Sequence, residues 1–243
     1  MKLVLLPGMD GTGQLFEALV KYFQSLSAQE QAVQGESLTV QVLPLPIAGA
    51  QDYRNLAAKV LQQLPSEDFI LVAESFSGGI AACLSQQAVL HLKGIIFVAS
   101  FLSGPKKLIA YLASHLPLRH LAHLPFSNAV YRLLMLGKEA TPGQIALFRS
   151  ALNTVPANVL KLRLRAIAEA EYDGFTSDVP AVYIAAANDR LVPAIKKREF
   201  VQAYSDIAFA EIAGPHFILQ ANPKDSAATI LKAANLIKNR NCC

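Results

Sequence analysis

Ile70-Leu71-Val72-Ala73-Glu74-Ser75-Phe76-Ser77-Gly78-Gly79-Ile80-Ala81-Ala82 decides the fold. Residues 69–73 form a continuous apolar run, the mark of a strand buried on both faces of a parallel sheet. From about residue 76 to 89 the pattern is helical. The change happens within one residue, next to a serine. A strand-to-helix turn this sharp strains the backbone of its serine and lifts the hydroxyl above the sheet. The residues two before and two after the serine pack together and must be small. G-x-S-x-G is the usual solution. Here Ala73 and Ser77 take those places, and Gly78-Gly79 lets the helix approach the strand. The other reading of the turn is an ordinary N-capping serine. A phosphate-binding loop fits less well, because its Lys-Ser/Thr ending is absent.

Outward from this turn, short apolar runs alternate with helical patterns. Runs at 3–6, 38–43, 69–73, 94–99, 179–186 and 207–212 alternate with helical stretches near 14–25, 53–64, 76–89, 194–203 and 224–238. This rhythm predicts an α/β fold: a mostly parallel six-stranded sheet with helices on both faces. Residues 100–178 break it. They hold no convincing strand, and their Leu-rich helical patterns are cut by Pro117, Pro125, Pro142 and Pro156. The expected organisation is therefore a core of residues 1–99 and 179–243 with an all-helical insertion, 100–178, over the C-terminal edge of the sheet.

Composition narrows the function. Hydrophobic residues are 53% and charged residues 16% of the 243, so the chain can bury a large core and present an apolar site. The net charge of +4 is too weak to argue for nucleic acid. Between Ser100 and Glu171, however, nine Lys/Arg face only three acidic residues, which makes the insertion basic. No apolar run is long enough to span a membrane, and the first eight residues are too short an apolar stretch for a signal peptide. The expected location is cytoplasmic. Cys83, Cys242 and Cys243 make neither a disulfide framework nor a metal site. Cys83 reads as a small core residue, and the terminal pair does not fit a C-a-a-X signal. No metal or other cofactor is expected.

Three further segments carry chemistry. Pro7-Gly8-Met9-Asp10-Gly11-Thr12-Gly13 follows the first strand, and its glycines permit a tight turn with inward N–H groups. With a serine nucleophile on the turn described above, two backbone N–H groups hold the oxyanion: one from the residue after the serine, Phe76, and one from such an early loop, assigned to Met9. A nucleotide cradle is the competing reading, but the spacing is not G-x-G-x-x-G. Asp10 reads as a turn former. Asn188-Asp189-Arg190 lies just past the strand at 179–186. Residues 99–103, the alternative place for an acid, contain no carboxylate, so Asp189 is the candidate. Gly214-Pro215-His216-Phe217 follows the last strand, where a histidine can reach back to Ser75. His91, His115, His120 and His123 lie after a helix or in the insertion. The order Ser75, Asp189, His216 suits nucleophilic catalysis with His216 as base and Asp189 orienting it.

The four segments PGMDGTG, AESFSGG, NDRLVP and GPHFILQ, in that order, resemble the α/β-hydrolase superfamily over nearly the whole chain outside the insertion. Within it the chain is most similar to small bacterial carboxylesterases with a helical lid, including the pimeloyl-carrier-protein methyl ester esterases of biotin synthesis. The resemblance implies a serine esterase acting on a small-molecule acyl ester through an acyl-enzyme. It makes the insertion a lid whose leucines wall an acyl pocket and whose basic residues dock an acidic acyl carrier protein or a substrate phosphate, the other reading of those residues being a solvated helix face. A thioesterase or acyltransferase with the same three residues, and a catalytically silent ligand-binding relative, are the alternatives.

Overall fold

The computed structural model describes residues 1–26, 38–105 and 127–240. Of the residues singled out above, His115, Pro117, His120, His123, Pro125, Cys242 and Cys243 lie outside them, as do Lys106, Lys107 and Arg119 among the nine Lys/Arg counted in the insertion.

Six strands make one sheet: β1 (Lys2–Leu6), β2 (Thr39–Val42), β3 (Phe69–Glu74), β4 (Leu92–Val98), β5 (Ala181–Ala186) and β6 (Ile207–Ile212). Their order is β2-β1-β3-β4-β5-β6 and every pairing is parallel. From β1 the chain steps outward to β2, then returns to place β3 on the other side of β1. The order therefore reverses between β1 and β3, and the crevice beyond their C-terminal ends is where open parallel sheets bind ligands.

Successive side chains of a strand point to opposite faces, and both faces here are covered. Leu3, Leu5, Ile70, Val72, Ile96 and Val98 pack against helices α1 (Glu17–Ser25) and α9 (Pro223–Arg240). Val4, Leu6, Leu71, Ala73 and Phe97 pack against α2 (Tyr53–Leu61), α3 (Ser77–Ser85) and α7 (Lys197–Ala203). This double coverage explains why the central strands read as unbroken apolar runs. Asp52 caps α2 by accepting from Asn55 N–H at 3.0 Å, an interaction worth about 1 kcal/mol. Gly78 and Gly79 are needed for close packing. A Cβ on Gly78 would lie 2.6 Å from Ser100 Cβ, and one on Gly79 would lie 2.6 Å from the Tyr53 ring.

The described part of the insertion is helical: α4 (Ser127–Tyr131), a π-helical turn (Arg132–Leu136), α5 (Pro142–Thr154) and α6 (Ala157–Glu169). Pro142 opens α5 behind a capping box of Thr141 and Gln144, and Pro156 separates α5 from α6. Tyr131, Leu136, Ile145, Phe148 and Ala151 form a small core of their own. The insertion touches two loops at the C-terminal edge of the sheet. The Phe148 ring meets that of Phe217 at 5.3 Å, and Val159 and Leu160 pack with Met9.

The helices depart from expectation in two places. The stretch at 76–89 ends at Ser85, whose hydroxyl donates back to Ala82 O at 2.9 Å, a local bond that competes with continuing the helix. A four-residue helix, α8 (Ile218–Ala221), follows His216 and was not expected. Among the described residues no helix is long and apolar enough to cross a membrane.

Candidate active site

Ser75 sits between β3 and α3 with φ of +49°. A side-chain-bearing residue in this region costs on the order of 1–3 kcal/mol and needs surrounding structure to hold it. That structure is visible. Ser75 N–H donates to Val98 O at 2.8 Å, and Gly78 N–H donates to Ser75 O at 3.0 Å. Ser100 Oγ donates to Ala73 O at 3.0 Å. Ser77, at the second small position, is fully buried and donates its hydroxyl to Pro7 O. The residue that departs from the usual glycine thus ties the start of α3 to the end of β1.

Loops after β5 and β6 bring the other two candidates to Ser75. Ala187 N–H donates to Ile212 O and Asn188 N–H to Gly214 O, both at 2.9 Å, so the loops run side by side. His216 Nε2 lies 2.9 Å from Ser75 Oγ. His216 Nδ1 lies 2.7 Å from Asp189 Oδ2. Asp189 Oδ1 accepts from Leu191 N–H at 2.8 Å and Val192 N–H at 2.9 Å. The carboxylate is thereby oriented, and it favours the tautomer with hydrogen on Nδ1. The Nε2 lone pair then faces the serine hydroxyl. His91 is elsewhere, bonded to Asp68.

The loop after β1 borders the same place, since a Cβ on Gly8 would lie 3.9 Å from Ser75 Cβ. Gly11 N–H donates to Gly8 O at 3.0 Å, which closes a turn over Gly8-Met9-Asp10-Gly11. Asp10 Oδ2 accepts from Thr12 N–H at 2.9 Å and Thr12 Oγ1 at 2.6 Å, the turn-forming role expected of it. Met9 N–H and Phe76 N–H donate to none of the described residues.

One side chain beneath this site, Glu74, escaped sequence reasoning. Glu74 is fully buried, and its Oε1 accepts from Gln220 Nε2 at 3.0 Å. Its Oε2 has no hydrogen-bond partner among the described residues. Burial, with a smaller push from Asp10, raises the Glu74 carboxyl to about 8 against the pull of Gln220 and Gly8 N–H. Burial raises Asp10 as well. Glu74 is thus a neutral acid at neutral pH. An unfolded chain releases this proton near pH 4.3, whereas the folded chain keeps it until about pH 8. The stability Glu74 contributes is therefore full below about pH 4.3 and lost progressively as the pH rises to about 8. Glu74→Gln cannot ionise. Its stability relative to wild type is expected to rise by on the order of a few kcal/mol between pH 5 and pH 8 in urea unfolding. A difference that stays flat across that window would mean Glu74 is not a buried neutral acid.

Among the described residues no group of three or more His, Cys, Asp or Glu is arranged to hold a metal ion. No protein-family model and no curated protein matches the chain. Solved structures do match it. The esterase EaEST from Exiguobacterium antarcticum is 12% identical, with 96% of this chain and 91% of that one covered and a TM-score of 0.77. A lipase-esterase related protein from Clostridium acetobutylicum is 15% identical over 95% of this chain and 93% of that one, with a TM-score of 0.73. The RedJ thioesterase of the prodiginine biosynthetic pathway in Streptomyces coelicolor is 19% identical over 96% and 85%, with a TM-score of 0.68. At such identities the likeness is one of fold. With the six parallel strands and their order, it establishes that this chain has the α/β-hydrolase fold.

Proposed function

We propose that this chain is a serine hydrolase that cleaves a carboxylic ester through an acyl-enzyme on Ser75. The observation that carries the reading is the unbroken hydrogen-bonded line from Ser75 Oγ through His216 to Asp189, mounted on a strained strand-to-helix turn. A serine hydroxyl is a weak nucleophile at neutral pH. His216 Nε2 takes its proton as Oγ attacks the ester carbonyl, and returns it to the departing alkoxide. Asp189 stabilises the imidazolium that forms between these steps. Met9 and Phe76 N–H groups receive the oxyanion, where removing one such donor costs about 2.7–4 kcal/mol. Water, deprotonated by His216, then releases the acid. The chain supplies every group this chemistry needs, so no cofactor is required.

In this reading residues 100–178 act as a lid. Phe148, Leu152, Val159 and Leu160 stand beside Met9 and Phe217, which supports a substrate with an apolar acyl part. The finer substrate is a methyl ester of an acyl group, such as pimeloyl, carried on an acyl carrier protein, with the basic insertion as its dock. The basic surface is smaller than the sequence count suggests, because Arg163 is fully buried and Arg165 pairs with Glu169. Arg132 and Arg149 remain as lining of one cleft of the insertion. A thioesterase using the same residues is the second reading, favoured by the likeness to the RedJ thioesterase. An acyltransferase would differ only in the acceptor of the acyl group.

One experiment tests these readings together. The chain is treated with a fluorophosphonate probe, then assayed on p-nitrophenyl esters, a carrier-protein methyl ester and an acyl thioester. Labelling at Ser75 with the highest kcat/KM on oxygen esters is the expected result. A thioester preference would select the second reading. A chain that takes no label would be a silent ligand-binding relative.

A further inference from the structure

Helix α6 buries Val159, Leu160, Arg163 and Ala166 on one face. The spacing places Arg163 where an apolar residue belongs, yet it is 0% exposed. Burying a cation is costly unless hydrogen bonds replace its water. Arg163 donates four to described residues. Nη1 donates to Met9 O and to Asp10 O, both at 2.9 Å. Nη2 donates to Pro46 O at 3.1 Å, and Nε to Gln51 Oε1 at 3.0 Å. All four acceptors are neutral oxygens. Burial lowers the guanidinium to about 10 and the Asp10 carboxylate opposes that shift through space, so the side chain stays cationic at neutral pH.

We infer that Arg163 is a positioning residue for acylation: from the insertion it holds the Gly8–Gly11 turn so that Met9 N–H faces the oxyanion formed at Ser75. The inference rests on the reading of Met9 as oxyanion donor. In a trans peptide the N–H points opposite to the C=O of the same unit. Gly8 O is drawn to Gly11 N–H, which turns Met9 N–H out of the turn. The next two peptide units carry Met9 O and Asp10 O, and both are drawn to one guanidinium nitrogen. Three consecutive peptide planes therefore lose their freedom to rotate, the first through Gly11 and the others through Arg163. The loop makes room for this contact. Gly11 has φ of +69°, and a Cβ there would lie 2.2 Å from Arg163 Nη1. Only glycine suits both the turn and the guanidinium.

The geometry joins the insertion to the chemical step, so displacement of α6 would loosen the oxyanion donor. A clamp that merely stabilised α6 would show up in unfolding alone. R163K keeps the buried cation but has a compact ammonium without the planar fork. R163M removes the charge. Both are compared with wild type on a p-nitrophenyl ester and against a trifluoromethyl ketone, which forms an oxyanion-bearing adduct with a nucleophilic serine. Losing one oxyanion donor outright costs roughly 100- to 1,000-fold in kcat. A misaimed donor is expected to cost roughly 10- to 100-fold, with KM within about threefold and ketone affinity falling in step with kcat/KM. Should R163M be too unstable to purify, R163K decides. Unchanged kcat and ketone affinity in R163K overturn the inference, as does a loss confined to KM or to the unfolding midpoint. These outcomes presuppose a wild type labelled by fluorophosphonate. A wild type that takes no label overturns the hydrolase reading and this inference together.

Discussion

Ser75→Ala is expected to lower kcat for ester hydrolysis by about a millionfold, with KM and fold unchanged. This corresponds to about 8 kcal/mol of lost transition-state stabilisation. The size follows from the removal of the only atom that forms the acyl bond. Alanine keeps the Cβ, so the backbone at φ of +49° is no more strained than before. The turn also keeps its supports, because Ser77 Oγ to Pro7 O and Ser100 Oγ to Ala73 O do not involve the lost hydroxyl. His216→Ala should cost about as much, since a serine without its base does not attack. The double variant should be no slower than either single one, because the two residues act as a unit. What should remain is the rate due to binding and to the Met9 and Phe76 N–H groups of the proposed oxyanion site. Steady-state kinetics at saturating substrate, with circular dichroism as the folding control, make the measurement. A Ser75→Ala enzyme within tenfold of wild type would remove Ser75 from the mechanism. A double variant a further millionfold slower would mean that Ser75 and His216 act separately.

Much of this was legible in the sequence for identifiable reasons. Buried parallel strands must be apolar on both faces, so β3, β4 and β5 stand out as runs. A sharp turn into a helix demands small residues around Ser75. The candidates at Ser75, Asp189 and His216 follow from chain order, and their side chains meet in space. Glu74 and Arg163 were not found, although each left a signal. Glu74 ends an otherwise apolar run, and Arg163 interrupts the apolar stripe of α6. Sequence alone cannot distinguish such a charge from one that bends out to water. The difference lies in long-range partners: Gln220 for Glu74, and the carbonyls of Met9, Asp10 and Pro46 for Arg163. The same ambiguity inflated the basic count of the insertion, where Arg163 looked like surface charge. Ser77 was read as a small substitute for glycine. Its use of the hydroxyl depends on where Pro7 O lies across the sheet.

Asp189→Asn is expected to lower kcat by about ten-thousandfold, a larger loss than the near-isosteric change suggests. The reason lies in the partners of the two oxygens. Oδ1 accepts from Leu191 and Val192 N–H groups, while Oδ2 faces His216 Nδ1. An asparagine has one oxygen and one NH2. If the oxygen stays with the two backbone donors, the NH2 faces Nδ1. The imidazole must then accept at Nδ1 and carry its hydrogen on Nε2. That nitrogen lies 2.9 Å from Ser75 Oγ and can no longer take the serine proton. If the amide flips, the NH2 meets two N–H donors and leaves both without an acceptor, each buried orphan costing about 1–3 kcal/mol. The first arrangement therefore prevails, and the variant holds its base in the wrong tautomer. Two measurements check this. Steady-state kinetics should give the loss in kcat with KM little changed. Nitrogen chemical shifts of His216 in labelled protein should report hydrogen on Nδ1 in wild type and on Nε2 in the variant. A tautomer that does not change, or a loss of less than about tenfold, would leave Asp189 as a loop anchor for residues 189–192 and send the search for the orienting acid elsewhere.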